Sequence, residues 1–293
     1  MLLLLACAAP EDDEFAAENT DSAEVVDEGP PPADLADPSA GSCPSFDEPG
    51  QVKFTSADLE RKARIFYPED RPANMPVLFV WHPLGANARS MVSWLEIDSF
   101  AEENGIIAVV PDADDSMPFE WGFTGNASVD LALYDDLRTC LVQELGADVR
   151  RVYSVGMSAG ALWTTYLGIH RGDTLASIAT WSGGTGDLVP YSTPAYAFPA
   201  LLVFGGDDDT YNAGGYVVEF HELTLEFADQ LAGDGHFVDL CEHDLGHYFP
   251  PDPQATISDF LMVQRYGQPS PITEDNLPDL SMDCQVVTGG VSD

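Results

Sequence analysis

Gly156-Met157-Ser158-Ala159-Gly160 sets one serine between two glycines, directly after the apolar run Arg151-Val152-Tyr153-Ser154-Val155 and directly before a stretch of helical pattern. In a strand, turn, helix context a G-x-S-x-G sequence exposes the serine hydroxyl on a sharp elbow. The glycines are needed because a side chain at either flank would collide with the adjoining strand or helix. A serine hydroxyl is a weak nucleophile at its own pKa; it needs a histidine base, and the histidine needs a carboxylate to fix its tautomer. The chemistry that follows is acyl transfer through Ser158, with the N–H of Ala159, the residue after it, as one donor to the oxyanion.

On this kind of sheet the partners follow the serine in the order acid, then histidine. The apolar run Ala200 to Phe204 reads as a buried strand and ends in Gly205-Gly206-Asp207-Asp208-Asp209, so any of three aspartates qualifies. A later alternating run, His236 to Cys241, leads into Glu242-His243-Asp244-Leu245-Gly246-His247-Tyr248-Phe249-Pro250. Of the six histidines, His170 and His221 fall in helical patterns and His236 opens a strand. His82 follows the strand Val77 to Trp81 and precedes Ser158, which is out of order for the base, although it can touch the site. His247, between a glycine and an aromatic-proline segment, is preferred to His243, which reads as a loop histidine among acidic neighbours.

These residues need a scaffold that brings several strand ends to one edge. Strands are expected over 63–67, 77–81, 106–110, 152–155, 177–181, 201–204 and 237–240, and helices over 91–103, 128–145, 159–170, 216–231 and 255–266. Leu133, Leu137, Cys140 and Leu141 share one face of the second helix. Short apolar strands alternating with helices imply a mostly parallel central sheet covered on both faces, with functional groups at its carboxyl edge. The length leaves no room for a large cap domain.

The series Arg64-Ile65-Phe66-Tyr67-Pro68, Pro76 to His82, Pro111-Asp112, Arg151 to Gly160, Trp181-Ser182-Gly183 and Gly246 to Pro250 resembles the secreted polyhydroxybutyrate depolymerase and feruloyl esterase group of α/β-hydrolases, over roughly Val52 to Tyr266. The resemblance implies the α/β-hydrolase fold and a serine esterase acting on polyester or polysaccharide-linked acyl groups. It makes Asp208 the match to the acid, with Asp207 and Asp209 still open. It also implies a second oxyanion donor in the loop after the strand ending at Trp81. There His82-Pro83-Leu84-Gly85 departs from the family's His-Gly pair: Pro83 has no N–H, which leaves Leu84 to donate. Trp121 and Trp181, with His82, are candidates to line the substrate pocket.

Met1-Leu2-Leu3-Leu4-Leu5-Ala6-Cys7 is too short to span a bilayer. It resembles the end of a lipoprotein signal with Cys7 as the lipidated residue, though it lacks a basic leader. Residues 8–49 are acidic and proline-rich, and Pro10 to Pro49 hold no Lys or Arg, so a disordered tether is expected there. The hydrolase domain is then 50–268, followed by a tail over 269–293. Export would suit two disulfides among Cys43, Cys140, Cys241 and Cys284. Joining Cys284 to Cys241 would pin the tail near His247; Cys140 also fits a buried thiol.

No cofactor and no metal site is expected: no C-x-x-C or zinc-ligand spacing occurs, and the acidic runs 112–115 and 207–209 read as solvated loops in preference to calcium ligands. The formal net charge of −39, with 11 basic residues, disfavours nucleic acid and anionic membranes as partners. It leaves neutral ester substrates, polymeric ones included, and membrane contact only through a lipid on Cys7. A monomer, periplasmic, surface-anchored or secreted, is expected. The competing readings are a serine peptidase, which shares the triad, and a non-catalytic binding lipoprotein that keeps the fold.

Overall fold

The computed structural model describes residues 28–289, apart from 115, 214 and 215. Nine strands form one sheet in the order β1-β2-β4-β3-β5-β6-β7-β10-β11. They are β1 (Gly50–Ser56), β2 (Leu59–Phe66), β3 (Val77–Trp81), β4 (Ile107–Pro111), β5 (Val152–Met157), β6 (Ser177–Trp181), β7 (Ala200–Phe204), β10 (Val238–Glu242) and β11 (Asp283–Val287). The six strands from β4 to β10 run parallel, and antiparallel pairs close both sides, β1 with β2 on β4 and β11 on β10. A short hairpin, β8 (Thr210–Ala213) with β9 (Tyr216–Glu219), stands apart from the sheet.

The central strands are apolar throughout because both faces are covered. In β3, Val77, Phe79 and Trp81 enter one core with Leu133, Trp121 and Trp163, while Leu78 and Val80 enter the other with Met91, Phe100, Tyr153 and Phe260. The covering helices are α1 (Ala88–Leu95), α2 (Ile97–Asn104), α3 (Ala127–Leu145), α4 (Ala159–Arg171), α5 (Phe220–Gly233) and the short α6 (Pro253–Ala255), which runs on as a π-helix over Thr256–Leu261. The helix expected over 91–103 is two helices, broken where Glu96 adopts a left-handed φ of 48°. The helix expected from Tyr216 begins four residues later, because Tyr216–Glu219 pairs as β9.

The segment expected as a free tether is packed from Glu28 onward. Arg138 of α3 donates to the carbonyls of Ala33 and Asp34, Thr139 to that of Ala36, and Ser39 donates twice to Asp136. Cys43 is joined to Cys140, and Phe46 is buried in the core. Few apolar groups are needed here, since the strap's backbone carbonyls are satisfied by α3 side chains. The expected signal at residues 1–7 lies outside the described residues. The second disulfide, Cys241 to Cys284, lies between paired β10 and β11, so the tail completes the sheet. Among the described residues no helix is long and apolar enough to cross a membrane.

Candidate active site

Every chemical group of the site leaves the carboxyl end of a parallel strand. Ser158 follows β5 and is held at φ 56°, ψ −118°. Its N–H donates to the carbonyl of Trp181 at the end of β6, 2.9 Å away. The elbow needs both glycines: a Cβ on Gly156 would lie 2.2 Å from the Gly160 oxygen, and one on Gly160 would lie 2.2 Å from the Trp81 oxygen.

His247, beyond β10, lies with Nε2 2.9 Å from Ser158 Oγ and Nδ1 2.7 Å from a carboxylate oxygen. That carboxylate belongs to Asp209 and not to the expected Asp208. Local geometry selects Asp209 for this contact. Gly206–Asp208 forms a 3₁₀ turn that leaves Asp207 and Asp208 exposed, and the chain emerges from it with Asp209 fully buried. Asp209 Oδ1 faces His247, while Oδ2 accepts from Ser182 Oγ at 2.8 Å and from the Gly205 N–H at 2.9 Å. Burying a carboxylate without such partners is costly. The His247 ring stacks on Phe220, centroids 4.5 Å apart, with Tyr211 of β8 at 5.7 Å.

His243 is buried rather than loop-exposed. Its Nδ1 accepts from the Leu245 N–H at 3.2 Å, and burial pushes its pKa down, so it is a neutral brace of the turn leading to His247.

The loop after β3 is fixed by Phe119-Glu120-Trp121. Trp121 Nε1 donates to the His82 carbonyl at 2.9 Å, and Glu120 accepts from the Gly85 N–H at 3.1 Å. The Ala86 N–H donates to Pro83. Leu84 is therefore the residue of that turn whose N–H has no acceptor within the protein among the described residues, and the Ala159 N–H likewise has none. Both are donors of the kind an oxyanion needs.

Three expected substrate contacts are placed differently. His82 is buried: its Nδ1–H donates to the Pro83 carbonyl at 2.9 Å and its Nε2 accepts from the Ala113 N–H at 3.0 Å, so both nitrogens are occupied. Burial also lowers its pKa, in keeping with that neutral tautomer. Trp121 is fully buried, its ring edge-on to Trp81 at 5.1 Å, and it braces the loop. Trp181 is fully buried too and meets Phe249 edge-on at 5.8 Å. The exposed aromatic groups of this region are instead Tyr211, with its ring 5.7 Å from that of His247, Tyr248, the residue after His247, and Trp94, which lies against Phe249. Sequence reasoning also missed Ser182 as a donor to Asp209; its place directly after β6, in the Trp181-Ser182-Gly183 segment, was the available signal.

Comparison with known structures bears on the fold. The structure superposes on that named pOPH with a TM-score of 0.69 at 14% identity, covering 85% of this chain and 98% of the other. It superposes on a ferulic acid esterase with a TM-score of 0.57 at 14% identity, covering 73% of this chain and 96% of the other. The fold is that of the α/β-hydrolases. In sequence, the chain is similar to feruloyl esterase B of Thermothelomyces thermophilus, 28% identical over 128 residues. That match spans 41% of this chain and 43% of the relative, less than half of the relative's length. No family model matches the chain.

Proposed function

We propose that this α/β-hydrolase is a serine esterase that hydrolyses carboxylic esters through an acyl-serine intermediate. The observation that carries the reading is the unbroken chain from Ser158 Oγ through His247 to Asp209, at 2.9 and 2.7 Å. Ser158 Oγ attacks the ester carbonyl as His247 Nε2 takes its proton, and the buried Asp209 carboxylate stabilises the imidazolium. The N–H groups of Ala159 and Leu84 stabilise the negative charge on the carbonyl oxygen, where one such donor typically lowers the barrier by about 3 kcal/mol. The tetrahedral intermediate collapses as His247 returns the proton to the departing alcohol. Water then repeats the sequence to release the acid and restore Ser158.

The exposed rings of Tyr211, Tyr248 and Trp94 favour an apolar or aromatic acyl group, consistent with feruloyl or polyester substrates. Two disulfides favour an oxidising compartment, and with it export. The test is hydrolysis of short-chain p-nitrophenyl esters, methyl ferulate and matched amides by the full chain and by Ser158→Ala. Ester turnover that the substitution abolishes supports the reading. Turnover of amides in preference to esters, or turnover that persists in Ser158→Ala, would overturn it.

A further inference from the structure

The chain carries 50 acidic and 11 basic residues, so where its unpaired cations gather is informative. Seven of the eleven are engaged. Arg61, Arg150, Arg151, Arg171 and Arg265 form ion pairs, and Arg71 and Arg138 donate to backbone carbonyls. The other four, Lys53, Lys62, Arg64 and Arg89, have no side-chain partner among the described residues, and all four line one open cleft of about 730 Å³.

The cleft is built by the outer face of the β1–β2 hairpin, the start of α1 and the loop from His82 to Asn87. Lys53 lies directly opposite Lys62 in the ladder, and Arg64 is the next residue on the same face. Like charges directly opposite each other are destabilising in a sheet, so this pairing costs stability unless something negative lies across it. Arg61 supplies a second, independent sign. It lines the same cleft and is almost wholly buried; its Nη2 is bound to Asp130 at 2.7 Å, while its Nη1 has no hydrogen-bond partner.

Four carboxylates share the cleft. Three are turned to its own backbone: Asp112 accepts from the Ala88 N–H, Asp114 from that of Ser116 and Glu120 from that of Gly85; the fourth is Glu60. Same-face side chains on a strand recur about every 7 Å. Lys53 and Lys62 thus stand side by side at one level of the hairpin and Arg64 about 7 Å further along, with Arg89 of α1 also in the lining. That spacing suits repeated charges along a chain better than a single small anion.

We infer that this cleft binds a carboxylate-bearing polysaccharide segment, a run of uronate residues, belonging to the polymer that carries the ester. It shares the loop from His82 to Asn87 with the candidate active site, because that loop both walls the cleft and contains Leu84. The link to catalysis rests on the esterase reading; the binding itself does not.

The test is calorimetric titration of the full-length Ser158→Ala protein with oligogalacturonate, a neutral xylo-oligosaccharide of matched length and inorganic phosphate. Oligogalacturonate is expected to bind more weakly at high salt, and roughly 10-fold or more weakly after Lys53→Glu with Arg64→Glu, both solvent-accessible positions. The same pair of substitutions in the otherwise native chain should leave methyl ferulate hydrolysis unchanged and lower kcat/KM for esters carried on an acidic chain. Equal binding of the neutral oligosaccharide, or phosphate binding as tightly as oligogalacturonate, would overturn the inference. Methyl ferulate turnover without oligogalacturonate binding would overturn it while leaving the esterase intact. Binding in a protein that turns over no ester would uphold the cleft and remove the esterase.

Discussion

Gly205 and Gly246 meet backbone to backbone: the Gly246 N–H donates to the Gly205 carbonyl at 3.1 Å, and a Cβ on Gly205 would lie 1.9 Å from the Gly246 oxygen. This contact sets the Asp209 loop against the His247 loop, since Gly205 also donates to Asp209 and Gly246 precedes His247. Gly205→Ala must push the two loops apart. A displacement of the order of 1 Å at a catalytic group costs about 100-fold. Steady-state kinetics should show a fall in kcat of that size, with KM changed much less; unchanged kcat would mean that the contact positions nothing.

Asp209 and Asp208 are adjacent in the chain but differ in surroundings, one buried against His247 and the other in solvent. Asp209→Asn should lower kcat by about 10³–10⁴ by favouring the wrong imidazole tautomer. Asp208→Asn should stay within about twofold, as surface substitutions usually perturb little. The reverse ranking in an ester assay would assign the acid to Asp208.

Asp239 is fully buried in β10, its Oδ2 has no hydrogen-bond partner among the described residues, and desolvation pushes its pKa up to about 7. A carboxyl whose folded pKa lies above its unfolded value binds the proton more tightly when folded. Its stabilisation is full below about pH 4 and is lost as pH rises through about 7, an effect of at most about 4 kcal/mol. Thermal unfolding of Asp239→Asn followed from pH 4 to 8 should therefore lose a downward slope that the parent shows. Parallel curves would mean that Asp239 does not titrate in that range.

The Cys241–Cys284 bond closes a separation of 43 residues and secures β11 on the strand that leads to His247. Loop-closure entropy predicts a loss of about 4 kcal/mol when it is removed. Cys241→Ser with Cys284→Ser should lower the unfolding free energy measured in denaturant by about that amount; an unchanged value would mean that the sheet pairing alone holds the tail.

How far the sequence could be read follows from what each signal depends on. The elbow was legible because strand, turn and helix are all local patterns around Ser158, and the Gly246-His247 segment because few histidines follow a strand end. The aspartate that meets His247 lies one residue beyond the expected Asp208 because the 3₁₀ turn at Gly206–Asp208 decides which of three consecutive aspartates points inward, and no periodicity encodes that. β1 was missed as an edge strand, its residues alternating between exposed and half-buried. Trp121 and Trp181 read as pocket residues because their segments lie between elements or at a strand end; their burial is decided by tertiary packing alone.

Labelling by a fluorophosphonate decides whether Ser158 is an activated nucleophile. Intact-mass and peptide mass spectrometry of the full chain should show one phosphonyl adduct on the peptide containing Ser158. Labelling should be lost in Ser158→Ala and slowed by at least about 10³-fold in His247→Ala. An unlabelled parent, or an adduct that persists after Ser158→Ala, would contradict the account.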